Sequence, residues 1–443
     1  MTAQTTTSTL SAKFEKTLRS KTLIKKSGRV ENIIGLLIEA AGPACNVGEL
    51  CHIKLKNSAE PILAEVVGFK NNRTLLMPIG DITGIGPGAE VIATGGPLQV
   101  ELSDELLGRI LNGIGIPTDG KAPIKSKEKR SIYSFAPNAL TRKRISEPLS
   151  VGIAAIDGLM TIGKGQRIGI FSGSGVGKST LLGMIARYTS ADVNVIALIG
   201  ERGREVREFI EKELGAEGLK KSVVIIATSD QPAIMRLRGA FVAHTIAEYF
   251  RDQGLNVMLM MDSVTRFALA QRQVGLTIGE PPAQRGYTPS VFAILPTLLE
   301  RSGTSENGSI TGLYTILVDG DDMNEPIADN VRGILDGHIV LSRELAHRNH
   351  YPAIDVLQSI SRVMVDIIDK DHWDAAGKCK ETVATFRSAE DLININAYVK
   401  GTNPKIDYAI NMIDKINLFL RQRIDEKRDY NQTLNTLKSL FKK

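Results

Sequence analysis

The hydrophobic positions near the start of the chain fall in short runs. Between residues 27 and 95, β-rich stretches such as 33–38, 51–55 and 62–69 are separated by Gly, Pro and Asn residues. Several short strands with frequent turns are typical of a small β-barrel. We therefore predict a β-barrel domain over residues 27–95.

A different spacing begins near residue 149, where strand-like apolar runs alternate with helical patterns up to residue 350. The strand-like runs lie at 193–199, 223–227, 257–261 and 314–318. This alternation is typical of an α/β fold, in which helices cover both faces of a parallel sheet. We predict such a core over residues 96–362, with a connecting region (96–148) that wraps the core rather than folding alone.

Helical spacing dominates the C-terminal part. One apolar face runs through a charged background at Ile406, Ile410, Ile413, Ile416, Leu420 and Ile424. This period predicts an α-helical domain over residues 363–443.

The first 26 residues combine a Thr/Ser-rich start with Leu10, Phe14 and Leu18, four residues apart among many lysines. The spacing predicts a short basic amphipathic helix over 1–26. Such a helix either frays in water or folds on a partner or an anionic membrane surface, and the sequence leaves both open.

Composition excludes several classes of protein. Of the 443 residues, 42% are hydrophobic and 23% charged, which is ordinary for a globular protein. We see neither a membrane-spanning run nor a secretion signal, and the three cysteines have no CxxC spacing, so we expect a reducing, cytoplasmic location without a zinc site. The net charge of +6 permits an acidic partner without requiring nucleic acid.

The string FSGSGVGKST at residues 171–180 is a phosphate-binding loop. An apolar run precedes it, and Leu181, Ile185 and Tyr188 follow at helical spacing, so the glycines lie between a strand and a helix. Backbone N–H groups and the positive end of the helix dipole favour bound phosphate there. We expect ATP to contact Gly173, Ser174, Gly175, Val176, Gly177, Lys178, Ser179 and Thr180.

Within this loop, Lys178 supplies a cation to the outer phosphates, and the Ser179 hydroxyl is of the type that ligates Mg²⁺. One position departs from the strict pattern, because Ser172 stands where glycine is usual. A dinucleotide-binding loop would lack the Lys-Ser pair, and a plain glycine turn is the other alternative.

Two carboxylates follow apolar runs. Asp262 ends the run 255–261, which would place it at the sheet edge, where it could support Mg²⁺; the alternative is an ordinary strand end. Glu201 follows the run 193–199 and Gly200, and could position the water that attacks the γ-phosphoryl group. A surface ion pair with a neighbouring arginine explains Glu201 equally well from the sequence alone.

Three further features remain ambiguous from their residues. Arg362 follows a polar stretch and could stabilise charge on the transferred phosphoryl group, or be an ordinary structural arginine. Tyr351, before Pro352, could stack on adenine or pack in the core. The segment VGLTIGEPPAQRG at residues 274–286 predicts a loop, either a plain surface turn or a mobile contact loop.

Together these strings resemble the hexameric ATPases related to the rotary ATP synthase β subunit. The matching strings are GSGVGKST, LIGERGREV, MMDSVTRFALAQR, GEPPAQRGYTPSVFAILPTLLERSG and YPAIDVLQSISR, and they cover roughly residues 98–364. The C-terminal string EDLININAYVKGTNPKIDYAI resembles the flagellar type III protein-export ATPases in particular, so the likeness spans nearly the whole chain.

The resemblance implies a RecA-like P-loop core preceded by a β-barrel and followed by an α-helical domain, in a homohexamer with ATP between subunits. It implies that Lys178 and Ser179 bind phosphate and Mg²⁺, Asp262 supports the metal, Glu201 activates water, Arg362 is an arginine finger from the neighbouring subunit, and Tyr351 stacks on adenine.

The implied partners are a stator-like regulator dimer on the N-terminal segment, a coiled-coil stalk protein in the central channel, the export gate, chaperones and export substrates. The implied location is the cytoplasm, peripheral to the membrane. Departures from the family pattern are small: Ser172 for alanine, Thr288 for proline, and NINAY for NIGAY at residues 394–398.

Other functions make distinct predictions. A rotary ATP synthase catalytic subunit would carry an acidic lever that this chain lacks, and a noncatalytic nucleotide-binding subunit would lack the carboxylate of Glu201. An RNA-translocating ring would carry an aromatic-rich basic surface, whereas this chain has only 5% aromatic residues. Service in an injectisome instead of a flagellum stays open.

Overall fold

The computed structural model describes residues 25–56, 58 and 60–442, and it divides into two compact units between Leu98 and Gln99. The basic amphipathic helix predicted over residues 1–26 lies outside the described residues, apart from Lys25 and Lys26.

The first unit is a closed barrel of six antiparallel strands in the order β1-β2-β5-β4-β3-β6. The strands are β1 (Ser27–Ile34), β2 (Leu37–Ala41), β3 (Glu49–Ile53), β4 (Ile62–Lys70), β5 (Arg73–Pro78) and β6 (Glu90–Pro97). Its interior is filled by fully buried apolar side chains such as Ile38, Ile53, Val66, Leu76 and Val91. Closure leaves no free sheet edge, and the predicted β-barrel is confirmed.

The run 33–38, interpreted above as one strand, is instead a hairpin. β1 ends at Ile34 and β2 begins at Leu37, with Ile34 and Leu37 paired across the turn. Gly35 adopts a φ of +59°, which glycine reaches at little steric cost, so it reverses the chain within an otherwise apolar string.

The second unit contains thirteen further strands and thirteen α-helices in its described residues. The strands are β7 (Gln99–Leu102), β8 (Ile110–Asn112), β9 (Glu128–Ser131), β10 (Pro148–Leu149), β11 (Ile162–Gly163), β12 (Arg167–Ser172), β13 (Val193–Ile199), β14 (Ser222–Ala227), β15 (Asn256–Asp262), β16 (Gly303–Thr304), β17 (Ser309–Leu317), β18 (Gly337–Leu341) and β19 (Ile360–Ser361).

The helices are α1 (Ala154–Leu159), α2 (Lys178–Tyr188), α3 (Gly203–Glu208), α4 (Gly215–Lys220), α5 (Ala233–Asp252), α6 (Val264–Thr277), α7 (Pro289–Leu299), α8 (Pro326–Ile334), α9 (Arg343–His347), α10 (Met364–Ile367), α11 (Lys370–Asn394), α12 (Pro404–Leu420) and α13 (Tyr430–Phe441). A single π-helical turn, Phe209–Leu214, joins α3 to α4.

The main sheet has the strand order β19-β18-β12-β17-β15-β13-β14-β8. All neighbours from β18 to β8 are parallel, and only β19 and the short β16 pair antiparallel. The central strands β13 and β17 are buried along nearly their whole length, as expected for a sheet covered on both faces. The predicted parallel α/β core is confirmed, and the carboxyl ends of its strands share one edge.

The C-terminal residues are helical, as predicted, with one difference. The apolar period continues to Ile424, but α12 ends at Leu420 and Arg421 is already extended. The Arg428 guanidinium donates to the carbonyls of Phe419 (2.6 Å) and Arg421 (2.9 Å) and so ends the helix. Ile424 therefore lies in a loop and not on a helical face.

The segment 274–286, predicted as a loop, is partly helical. Its first four residues complete α6, which ends at Thr277. Further along, Glu280 accepts hydrogen bonds from the backbone N–H (2.7 Å) and the hydroxyl (2.6 Å) of Ser290. Within the described residues, no helix is both long and apolar enough to cross a membrane.

Candidate active site

The glycine-rich loop connects the central strand β12 to helix α2. Gly175 and Gly177 have φ values of +77° and +89°, which favour glycine because side chains with a Cβ are strained there. Gly177 is the N-cap of α2, and Lys178 is its first residue. The first N–H groups of α2, which have no partner within the helix, therefore face the loop and form an anion-binding end.

The first glycine of the loop lies close to the ends of two flexible side chains. A Cβ at Gly173 would lie 2.6 Å from the Arg343 guanidinium and 2.6 Å from the Asp321 carboxylate. Ser172, the departure from the strict pattern, is the last residue of β12 and pairs with Leu317 and Leu341. Its backbone is therefore extended, and a side chain is tolerated.

Lys178 lies between the two carboxylates that follow apolar strands. Its Nζ contacts Asp262 Oδ1 and lies 3.9 Å from Glu201 Oε1. Asp262 ends β15, and Glu201 follows β13 after Gly200, so the shared edge of the parallel sheet brings them together. The Thr315 hydroxyl on β17 donates to Asp262 Oδ1 at 2.7 Å and fixes that carboxylate.

The environment of Glu201 favours its neutral form. Burial, and to a lesser extent the nearby Asp262 carboxylate, raises the pKa of Glu201, while Lys178 and Arg266 lower it, and the net result is a pKa of about 7. Its buried Oε1 accepts no hydrogen bond within the described part of the chain. A general base with a pKa near the working pH and a free oxygen is suited to binding and polarising water.

Arg266 and Thr315 belong to this cluster but were missed by sequence reasoning. A Cβ at Gly200 would lie 2.7 Å from the Arg266 Cβ, so the glycine admits the arginine beside Glu201. The signal available for Arg266 was its position four residues after Asp262, in the first turn of α6. Thr315 gave no signal, because it lies inside an apolar strand.

The remaining loop residues have differing environments. Ser174, Gly175 and Ser179 are exposed, whereas Val176 is buried. The Thr180 hydroxyl donates to Glu213 Oε1 at 3.1 Å, so it is directed to the π-helical turn. Ser179 thus leaves an accessible hydroxyl on the first turn of α2.

A cavity of about 980 Å³ opens beside the loop. Its walls include Gly175, Gly177, Thr180 and Tyr351, and much of its far side is formed by residues 421–428. The Tyr351 ring lies beside Gly177. A Cβ added to Gly177 would be 3.5 Å from Cε1 of Tyr351, which is ordinary van der Waals contact. The sequence gave no indication of the 421–428 wall, since Ile424 continued the helical spacing of α12.

Arg362 is not part of the Lys178 cluster. It is an exposed residue directly after β19, and its backbone N–H donates to the Asp336 carbonyl at 3.0 Å. Strands β18, β12 and β17 separate β19 from β15 in the sheet. Within one chain, Arg362 is therefore presented at the surface.

A glycine loop between a central parallel strand and a helix, with a lysine facing two acidic strand ends, defines a P-loop nucleotide-binding protein. Three family models agree with this class. They are the ATP synthase alpha/beta family nucleotide-binding domain (residues 152–361), the beta-barrel domain of the same family (30–95), and the T3SS EscN ATPase C-terminal domain (368–439).

The chain belongs to the ATP synthase alpha/beta family, and it is an ATPase. It is 57% identical over 417 residues to the flagellum-specific ATP synthase of Bacillus subtilis, which covers 94% of this chain and 95% of the relative. Identity to the type 3 secretion system ATPase of Xanthomonas euvesicatoria is 49% over 431 residues, covering 97% and 98%. The resemblance inferred from the motifs is confirmed.

Solved structures agree with the fold. The assembled ATPase EscN of the enteropathogenic E. coli type III secretion system matches with a TM-score of 0.88 at 47% identity, over 93% of this chain and 99% of that one. EscN in complex with its central stalk EscO matches with a TM-score of 0.87 at 46% identity, with the same coverage of both chains.

Proposed function

We propose that the chain is the ATPase that energises flagellar type III protein export. The observation that carries this proposal is the position of Lys178 between Asp262 and Glu201, with the Glu201 Oε1 free, in a chain 57% identical to a flagellum-specific ATP synthase. The arrangement suits hydrolysis as well as binding, because a base for water lies beside the phosphate loop.

In the proposed reaction, the N–H groups of residues 173–180 hold the phosphates of ATP, and Lys178 exchanges its carboxylate partners for the outer phosphates. Ser179 and Asp262 would hold Mg²⁺, since a hydroxyl and a carboxylate are the hard oxygen ligands it prefers. The metal would neutralise charge on the phosphates. Glu201 orients the attacking water and takes its proton.

Tyr351 and the 421–428 wall would surround the adenine. The cavity they line with Gly175 and Gly177 continues directly from the phosphate loop, and its volume is adequate for a nucleoside. The Tyr351 ring is half-exposed, so it offers a face on which adenine could stack, and a rigid ring loses little conformational entropy when it does so.

We propose a homohexamer in which each site is completed by Arg362 of the adjacent protomer. The guanidinium is exposed and remote from β15 in its own chain, as expected for a cation that acts on a neighbour. EscN, which has been solved in assembled form and with its central stalk, supports assembly and a coiled-coil stalk partner in the channel.

The remaining proposed partners are a stator-like regulator dimer bound to residues 1–26, the export gate, chaperones and export substrates. These would hold the ring in the cytoplasm, peripheral to the inner face of the membrane. We propose no nucleic-acid partner.

Hydrolysis measured against protein concentration tests the enzymatic proposal. A steep rise in specific activity that coincides with assembly, followed by light scattering, is expected if sites form between protomers. Flat specific activity across assembly would count against shared sites, and absence of Mg-dependent hydrolysis at every concentration would refute the enzyme.

Injectisome export is the second candidate, because the C-terminal family model and the Xanthomonas relative are named for that system. Deleting the gene in its own host separates the two. Loss of flagellar filaments and swimming, restored by the wild-type gene but not by a Lys178 variant, supports flagellar service, whereas intact swimming favours the injectisome.

A further inference from the structure

The far side of the cavity is formed by residues 421–428, here called the wall segment, which connects α12 to α13. Such a connection contributes no strand or helix of its own, so its position depends on the contacts that hold it. Most of its residues are exposed, Glu426 and Arg428 are partly exposed, and Gln422 alone is buried, with only 5% of its surface accessible.

The Gln422 side-chain amide ties the wall segment to the start of α1. Its Oε1 accepts from the Ala154 N–H at 3.0 Å, and its Nε2 donates to the Gly152 carbonyl at 2.7 Å. Nε2 also donates to the Glu426 carbonyl at 2.8 Å, which closes the wall segment on itself. Both ends of one buried amide are therefore satisfied by backbone groups.

The Gln422 backbone contacts the proposed base-stacking residue. Its N–H donates to the Tyr351 carbonyl at 3.0 Å, so a single residue fixes both the wall segment and the backbone of Tyr351. Tyr351 and the wall segment, which both line the cavity, are thus held together through Gln422.

The wall segment is also connected to the phosphate-loop helix. Arg187 Nη2 and Tyr188 Oη, in the last turn of α2, donate to the Ile424 carbonyl at 2.9 and 2.8 Å. Because α2 begins at Lys178, one helix connects the phosphate loop to the wall segment. Gln422 is the buried anchor of that segment two residues away.

We propose that Gln422 is a positioning residue that sets the width of the nucleotide cavity on its base side. This inference rests on the proposed function, because it requires that the cavity holds a nucleotide. Loss of its side chain would leave the Ala154 N–H and the Gly152 carbonyl without their partner and remove the buried attachment of the wall segment, while Lys178, Asp262 and Glu201 keep their places.

The test compares Gln422→Ala with Gln432→Ala, a matched change of an exposed glutamine on α13. We expect Gln422→Ala to raise the KM for ATP and the Kd for fluorescent ADP about tenfold, with kcat at saturating ATP within about twofold of wild type. Gln432→Ala should leave all three unchanged. Equal KM and Kd values in the two variants, at a temperature where both are folded, would overturn the proposal.

Gln422→Glu gives a second readout that does not depend on tolerance of a truncation. A protonated glutamic acid can accept from Ala154 and donate to one of the two carbonyls that the amide contacts, whereas a carboxylate cannot donate at all. The ratio of its Kd for fluorescent ADP to that of wild type should therefore fall as the pH is lowered from about 8 to about 6. A ratio that does not change with pH would overturn the proposal.

Binding of fluorescent ADP distinguishes failure of the proposed function from failure of the positioning role of Gln422. If wild-type protein binds no fluorescent ADP, the proposed function fails and the role of Gln422 fails with it. If wild type binds and the Gln422 variants behave as wild type, only the positioning role fails.

Discussion

The ammonium group of Lys178 lies 3.9 Å from the Glu201 carboxylate across the mouth of the phosphate loop. Both side chains are largely buried, and Asp262 contacts the same ammonium group. The Lys178 ammonium group therefore lies near two acidic groups, and Arg266 is a second cation that acts on Glu201. The ionisation of Glu201 therefore depends on Lys178, which lowers the pKa of that carboxyl group.

Replacing Lys178 with Met removes the only side-chain cation of the loop. Phosphate binding should weaken by about 100-fold or more, because a buried charge pair with phosphate is lost and two carboxylates are left facing it. Fluorescent ADP binding measures this directly. Lys220→Met, at an exposed lysine paired with Glu217, is the control and should bind as wild type; unchanged binding by Lys178→Met would be inconsistent with the assigned role.

Replacing Glu201 with Gln keeps the shape of the side chain but removes its basicity. We expect turnover to fall by about 100-fold or more while nucleotide binding stays within a few fold, since the base acts on water and not on the ground-state nucleotide. The matched control is Glu205→Gln, at an exposed residue of α3. Steady-state hydrolysis and ADP binding test the pair, and retained turnover would remove Glu201 from the mechanism.

The raised pKa of Glu201 predicts how stability depends on pH. Its pKa in the folded nucleotide-free protein is about 7, against an ordinary value of 4.5, so the folded state binds the proton more tightly than the unfolded state. This contribution to stability is complete below about pH 4.5 and is lost as the pH rises towards 7.

Glu201→Gln cannot lose that proton. The Tm of wild type relative to that of Glu201→Gln should therefore decrease as the pH rises from about 4.5 to about 7. Thermal unfolding of both proteins in one buffer series measures the difference. A difference that increases with pH would show that the carboxylate is stabilised by ionisation instead.

The positions of Lys178, Asp262 and Glu201 could be predicted because they depend on local rules. Asp262 and Glu201 each follow an apolar run, and the carboxyl ends of parallel strands meet at one edge of a sheet. The phosphate loop has a spacing that specifies its own backbone. These features need no knowledge of contacts between distant parts of the chain.

The part of the cavity that is lined by the wall segment could not be predicted in the same way. Gln422 reaches Gly152 and Ala154 across about 270 residues of sequence, and nothing in its neighbourhood signals the contact. Ile424 continued the period of α12, although the helix ends at Leu420. Helix ends that are set by a distant side chain such as Arg428 are not encoded in apolar spacing.

The buried pair of Arg301 and Glu248 should be a large contributor to the integrity of the second unit. Arg301 is fully buried and donates to both Glu248 oxygens (2.8 and 2.9 Å), to the Thr245 hydroxyl and to the Ile132 carbonyl. Arg301→Met leaves a buried carboxylate unpaired and should lower the free energy of unfolding by about 3–5 kcal/mol.

Urea denaturation measures this change. The control is Arg332→Met, which breaks a surface pair with Asp329 and should cost less than about 1 kcal/mol. Adding Glu248→Gln to Arg301→Met should recover part of the loss. If Arg301→Met and Arg332→Met lowered the free energy of unfolding equally, the importance of the buried pair would be contradicted.

The most direct test of the account is a mixture of two inactive proteins, Lys178→Met and Arg362→Ala. If each site takes its phosphate loop from one protomer and Arg362 from the next, random equal mixing restores about a quarter of the sites, because a loop donor and an arginine donor must be neighbours. We predict hydrolysis at about a quarter of the wild-type rate in the mixture. No recovery in mixtures shown to co-assemble would contradict a nucleotide site shared between protomers.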